Sequence, residues 1–286
     1  MSNGVLIFAH NSEHVDYALM ALISGGLAKK YLSVPVSLVT DKPTIEWMKS
    51  SNIYDRALTV FEHVIESTPP KTTNTRKLHD GTESKTIPFV NNNRSSAYDL
   101  TPYDRTLLID SDFLIFSDEL AEYWDSDEVL ISKACNDLYE KNRAGQHDLY
   151  VSDTGIHLYW ATTVMFSKND TGKRFFDLLN FVKRNYEYYG DLFMFSTVQY
   201  RNDISFSVAK HILDGFETNL TPTLPPVLTT IDRDILHSVD ENGRLIFLLN
   251  ANMDSNFCAA SLVGKDVHVM NKQSIIRNAK PLLELI

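Results

Sequence analysis

Val5-Leu6-Ile7-Phe8-Ala9 is a continuous apolar run closed by His10-Asn11, and a run of that length without alternation belongs to a strand buried on both faces. Beyond Asn11 the period changes. Val15, Leu19, Leu22, Ile23, Gly26 and Leu27 recur at helical spacing, with Asp16, Lys29 and Lys30 on other faces, which predicts an amphipathic helix capped by Ser12 and reaching about Tyr31. Val34 to Val39 then reads as a second strand ending at Thr40-Asp41, Thr44 to Ser50 as a second helix, and Ala57 to Phe61 as a third strand. This alternation implies βαβ units and an α/β fold with a mostly parallel central sheet flanked by helices. Such sheets bind ligands beyond the carboxyl ends of their strands.

That rule turns attention to polar residues just after apolar runs: His10, Asn11, Thr40, Asp41, Asp110 and Asp112. The last two interrupt the β-prone stretch Tyr103 to Phe116 as Asp110-Ser111-Asp112. In an extended chain residues two apart share a face, so the carboxylates would project together and form a hard anionic oxygen site suited to Mg²⁺ or Mn²⁺ with substrate phosphate. A solvated turn is the alternative, because Asp and Ser bond locally to backbone.

Ser67 to Asn93 is polar and aperiodic, and reads as a long mobile loop. Its Lys71, Arg76, Lys77 and Lys85, with Arg94 just beyond, are diluted by Asp80 and Glu83; they form a phosphate clamp, a guide for an anionic acceptor, or a solvated linker. Ser95 to Leu100 predicts a helical turn, Ser117 caps a short acidic helix through Trp124, and Val129 to Ile131 is a strand. Asn136 to Thr154 is irregular, Leu158 to Ser167 has strand character, and Thr171 to Tyr189 and Asp203 to Leu213 read as helices. Pro222, Pro225 and Pro226 break the chain before a C-terminal portion of short strands and turns, so residues 1–226 form the main unit and 227–286 a portion closing over it.

The composition narrows the classes. With 286 residues, 43% hydrophobic and 22% charged, the chain supports one large folded α/β domain. A net charge of −10 opposes general nucleic-acid binding. The apolar stretch from Tyr17 to Leu27 is too short to span a bilayer, and no signal-peptide pattern opens the chain, so cytoplasm is the expected compartment. Cys135 and Cys258 read as buried thiols.

The string from Ser96 to Asp112, with Tyr103-Asp104-Arg105 before the strand and its aspartates, resembles the Asp-x-Asp segment of GT-A nucleotide-sugar glycosyltransferases, in the outline of glycogenin and bacterial galactosyltransferases. Trp160 to Phe166 looks like the strand lining the sugar and acceptor pocket, Arg201-Asn202-Asp203 like the start of the helix orienting them, and Asp266 to Lys272 like the segment ending in a metal-binding His and a phosphate-binding Lys. The family's Gly-x-x-Lys-Pro-Trp after the His and its Asn-Ser-Gly near Trp160 are absent. The wording also resembles glycosyltransferases of tailed bacteriophages.

The resemblance implies a GT-A fold in which Asp110, Asp112 and His268 hold Mn²⁺ or Mg²⁺, with the imidazole favouring Mn²⁺. Arg94 and Lys272 then neutralise a donor diphosphate beside Ser111, and His10, Asn11 and Asp41 hold base and ribose of a UDP-sugar. Asp203 is a general base if the transfer inverts, a positioning group if it retains, or only a helix N-cap; His268 taken alone is equally a core histidine. The acceptor is a hydroxyl of a glycan, a small molecule or a hydroxymethylated base in phage DNA, within a host cytoplasm if the source is viral. The rivals are a nucleotidyltransferase, which His10-Asn11-Ser12-Glu13 does not favour because it is no glycine-rich phosphate loop, and a non-catalytic sugar-nucleotide or DNA-binding module.

Overall fold

The computed structural model describes residues 1–68, 73–79, 84–139, 143, 149–153, 155–217, 221–251 and 256–286. The first third runs β1 (Asn3–Phe8), α1 (Tyr17–Leu32), β2 (Val36–Thr40), α2 (Lys42–Ser50), α3 (Tyr54–Val60), β3 (Phe61–Glu66), β4 (Thr75–His79) and β5 (Ser84–Pro88). The middle continues with α4 (Ala97–Leu100), β6 (Arg105–Ile109), β7 (Phe113–Leu114), β8 (Leu130–Ser132), β9 (Cys135–Asp137), β10 (Trp160–Ser167), α5 (Asp170–Arg184), α6 (Tyr186–Phe193) and α7 (Asn202–Leu213). The last part holds β11 (Val227–Thr229), β12 (Ile235–Val239), β13 (Leu245–Asn250), β14 (Phe257–Leu262), β15 (Val267–His268), α8 (Lys272–Arg277) and α9 (Ala279–Glu284).

The central sheet has the order β3-β2-β1-β6-β10-β8. Its first four strands are parallel, and β10 runs antiparallel to both β6 and β8. The mixed α/β architecture with a mostly parallel sheet is therefore the one expected. Side chains alternate between two cores: Val5 and Ile7 of β1 face α1, while Leu6 and Phe8 face the layer of α5 and α7. Each face is covered by helices, which is why β1 has no polar alternation.

Several local expectations are corrected. Helix α1 begins a full turn later than Ser12, because Asp16 is the residue whose carboxylate accepts from the Leu19 N–H (2.9 Å); Ser12 Oγ accepts from the Val15 N–H (3.1 Å) in the preceding turn. Ala57 to Phe61 is not a strand: α3 fills it and the strand starts at Phe61. Ser67 to Asn93 contains the antiparallel pair β4–β5, missed because only Leu78 and Ile87 are buried and no period-two pattern stands out. Of the basic residues expected there, Lys71 lies outside the described residues, as do Asp80 and Glu83. The helix read from Thr171 to Tyr189 is divided at Asn185 into α5 and α6, the segment from Ser117 forms a 3₁₀ turn (Glu119–Tyr123), and the C-terminal portion adds α8 and α9 to its strands. Neither cysteine is the buried thiol expected: Cys258 is exposed and Cys135 half-buried.

A second sheet, β7-β15-β11-β9, carries the C-terminal portion onto the main unit. Helix α9 packs on α1, where Gly26 leaves room for Ile286: a Cβ on Gly26 would lie 2.2 Å from the Ile286 Cδ1. Two residues earlier on α1, buried Ser24 donates from Oγ to the Ser111 carbonyl (2.7 Å), so the helix holds the loop between β6 and β7 directly. Among the described residues no helix is long and apolar enough to cross a membrane. Ser24→Ala leaves that carbonyl buried without its donor, and chemical denaturation of the variant is expected to show a loss of about 1–3 kcal/mol.

Candidate active site

The loop after β6 is a tight turn. Phe113 N–H donates to the Asp110 carbonyl (3.1 Å), and Asp110 N–H donates to the Thr162 carbonyl on the neighbouring β10 (3.0 Å). The segment is a turn and not the extended chain expected, but the turn is buried and not solvated at Ser111 and Asp112, and it brings the two carboxylates to one point. Strand β7 pairs antiparallel with β15, with His268 opposite Phe113, and Val269 N–H donates to the Asp112 carbonyl (3.0 Å). As a result one ligand atom from each of Asp110, Asp112 and His268 lies within 4.8 Å of the others.

Two cations flank this triad. Arg94, in the 3₁₀ turn Arg94–Ser96, reaches Asp110 from Nη1 (3.0 Å) and donates to the Ala161 carbonyl (2.6 Å), with its guanidinium over the Phe206 ring. Lys272, the first residue of α8, donates from Nζ to Asp112 Oδ2 and is 4% exposed. His268 Nε2 is 3.3 Å from Asp112 Oδ1, and its Nδ1 is 3.3 Å from Thr162 Oγ1, which fixes the ring.

These contacts set the protonation states. Burial raises the Asp112 carboxyl, but Lys272 and His268 outweigh it and hold Asp112 well below the ordinary carboxylate range. Asp110 is shifted up by burial, with Arg94 opposing, and a third of its side chain stays open to solvent. Burial also lowers the Lys272 ammonium, helped by the nearby Arg76.

The triad stands in the wall of a cavity of about 420 Å³. Ser111, Arg94 and Lys272 line it with the triad, and Asp203 lines it from the start of α7. Asp203 does not cap that helix as an N-cap residue does: Arg201 occupies the cap position, and Asp203 accepts from Arg201 Nη2 (2.6 Å), Arg201 Nε (3.1 Å) and the Ile204 N–H (2.9 Å). His10, Asn11 and Asp41 are not among the residues lining the cavity. His10 is fully buried and bonded to Asn91, which does line it; Asn11 accepts from the Ala18 N–H (2.8 Å), and Asp41 caps α2 through the Thr44 N–H (3.0 Å).

Sequence reasoning missed other walls. Tyr17, Gln199 and Tyr200 face the cavity, and none stands in a pattern that marks it as functional, whereas Trp160, Ala161 and Thr162 line it from the strand that the resemblance assigned to the pocket. Arg76 and Lys77 of β4 also line it, delivered by a hairpin where a loop was expected. That hairpin is fastened across the cavity by Gln199 Nε2 donating to Thr75 Oγ1 (2.7 Å) and by a reciprocal pair between Asn74 and Tyr200 (2.9 and 3.1 Å).

No protein-family model and no curated protein matches the sequence. Among solved structures, the chain is similar to the apo form of the glycosyltransferase GlyE of Streptococcus pneumoniae TIGR4, at 11% identity over 76% of this chain and 44% of that one, with a TM-score of 0.43. It is similar to the galactosyltransferase LgtC, solved with donor and acceptor sugar analogues, at 12% identity over 72% and 70% with a TM-score of 0.41, and to the glycosyltransferase PaToxG at 9% identity over 77% and 72% with a TM-score of 0.40. The chain spans less than half the length of GlyE.

Lys272 and a cation in the triad would compete for the same carboxylate. Lys272→Met is therefore expected to raise Mn²⁺ affinity by roughly tenfold in calorimetric titration, while Asp112→Asn abolishes the binding. Unchanged affinity in both variants would show that Mn²⁺ binds elsewhere.

Proposed function

We propose that the protein is a metal-dependent glycosyltransferase that moves a sugar from a nucleotide-diphosphate donor, UDP-linked by resemblance, to an acceptor hydroxyl. The observation that carries this reading is the convergence of Asp110, Asp112 and His268 at the wall of the 420 Å³ cavity, between Arg94 and Lys272. Two carboxylates and one imidazole form a mainly hard donor set, and the nitrogen favours Mn²⁺ over Mg²⁺. Two ligands each about 2.2 Å from an ion lie at most about 4.4 Å apart, so a triad spread within 4.8 Å needs only a closure of a few tenths of an ångström.

A divalent ion there supplies positive charge to the diphosphate as it leaves. The chain's own contribution is to fix that charge in a preorganised setting. Lys272 adds a second cation on the Asp112 side and Arg94 a third on the Asp110 side, both held by buried contacts before substrate arrives. Asp203 accepts two bonds from Arg201 and one from its own helix, which suits a carboxylate that positions the sugar or acceptor hydroxyl. The base and ribose fit the end of the cavity walled by Phe8 and Tyr17, where His10, Asn11 and Asp41 act one step back by holding Asn91, α1 and α2.

The test is release of nucleoside diphosphate from a panel of nucleotide sugars with Mn²⁺, with sugar, small-molecule and hydroxymethylcytosine-DNA acceptors in separate arms. Release of UDP, lost by at least roughly a hundredfold in Asp112→Asn and in Lys272→Met, is expected. Release of pyrophosphate from nucleoside triphosphate and sugar phosphate instead identifies a nucleotidyltransferase, and donor binding with no release in any arm identifies a non-catalytic binding module. Asp203→Asn is expected to lower kcat by roughly tenfold or more while leaving the UDP dissociation constant near its wild-type value.

A further inference from the structure

The cavity holds more positive charge than the proposed donor uses. Arg94 faces Asp110, Lys272 faces Asp112, and Arg201 faces Asp203, so each of these cations has its carboxylate. A divalent ion and the doubly charged diphosphate of a sugar nucleotide likewise offset one another. Arg76 and Lys77 remain. Arg76 forms no ion pair with a carboxylate among the described residues: its Nη1 reaches the Tyr17 hydroxyl at 3.4 Å, its guanidinium lies over the Phe89 ring at 5.3 Å, and its buried Nε has no hydrogen-bond partner. A half-buried guanidinium with no carboxylate partner among the described residues is costly to keep, and the cost is removed when an anion arrives.

The space for that anion adjoins the main cavity. A pocket of about 140 Å³ opens beneath the hairpin and shares Arg76, Lys77, Met270 and Lys272 with the larger one. That is several times the roughly 10–15 Å³ that one water needs. The far wall carries Asp232, the only carboxylate among its described lining residues, which matches Lys77 in charge and leaves Arg76 in excess. We propose that Arg76, assisted by Lys77, forms an oxyanion site beside the metal triad and that the acceptor bears a phosphate or carboxylate group bound there. This rests on the glycosyl-transfer reading and names the acceptor class for it. A guanidinium suits either group because its planar fork donates two parallel bonds to an oxyanion.

The alternative for Arg76 is the extra charge that appears on the nucleoside diphosphate when it leaves, and the experiment separates the two. The full chain is first titrated with UDP in the presence of Mn²⁺, then inorganic phosphate, or acetate in a parallel arm, is titrated into the saturated complex. One further stoichiometric binding event is expected, and the tighter of the two probes identifies the acceptor's group. Arg76→Gln raises the dissociation constant for that probe by roughly tenfold or more, and Lys77→Ala, on an exposed side chain that the fold does not depend on, raises it severalfold. Both variants keep the UDP dissociation constant within roughly twofold of the wild type. Absence of the second event, or a loss of UDP affinity in Arg76→Gln as large as the loss for the oxyanion, overturns the inference. Absence of UDP binding in the first titration overturns the donor reading, and the inference with it, before any oxyanion is added.

Discussion

The two-residue pairing of β7 with β15 is the contact on which the site depends. It joins residues more than 150 positions apart and sets His268 against Asp112, from which the chain needs only a short turn to bring Lys272 onto the same carboxylate. So short a ladder is weak by itself. Its persistence comes from what surrounds it: Leu114 and Val267 are fully buried, and Asp266 accepts from the Phe116 N–H (2.7 Å), the Ser117 N–H (2.9 Å) and the Ser117 hydroxyl (3.0 Å). Burial pushes the Asp266 carboxyl up to about 6, so this clasp is one of the costlier acids in the fold to ionise, and its three donors offset that cost.

Charge organises the cavity around that clasp. Asp112 is almost fully buried, and an unpaired carboxylate there would be destabilising by several kcal/mol; Lys272 and His268 remove the penalty. In the proposed reading, the same cation that stabilises the carboxylate also meets the donor phosphate. Tertiary packing supplies a further constraint from behind, where Ser24 on α1 holds the Ser111 carbonyl and Thr162 on β10 holds both Asp110 and His268. The triad is thus fastened from behind by α1 and β10 and closed by the pairing of β7 with β15.

How much of this was legible in the sequence depends on the physics of each part. The α/β architecture was, because β1 and its neighbours are buried on both faces and so carry uninterrupted apolar runs. Asp110 and Asp112 were legible because two carboxylates at the end of such a run have no packing role. Arg94 stood out only as one of several basic residues that could clamp phosphate, and Lys272 and His268 could be named only through a resemblance, since nothing in their neighbours' periodicity distinguishes a candidate ligand from a core residue. His10, Asn11 and Asp41 stand at strand ends as expected, yet their polar atoms bond to the local backbone and to Asn91, which sequence position alone cannot reveal. The β4–β5 hairpin was hidden because one buried side chain per strand gives no alternation to read, and with it went the location of Arg76.

The central claim is that Asp110, Asp112 and His268 converge on one divalent cation. Electron spin-echo envelope modulation of the Mn²⁺-loaded protein measures this directly, because a coordinated imidazole imprints ¹⁴N modulation on the electron spin. The account predicts one Mn²⁺ per chain with the modulation of a single histidine nitrogen, absent in His268→Gln. Bound Mn²⁺ without nitrogen modulation, or modulation that survives His268→Gln, would contradict it.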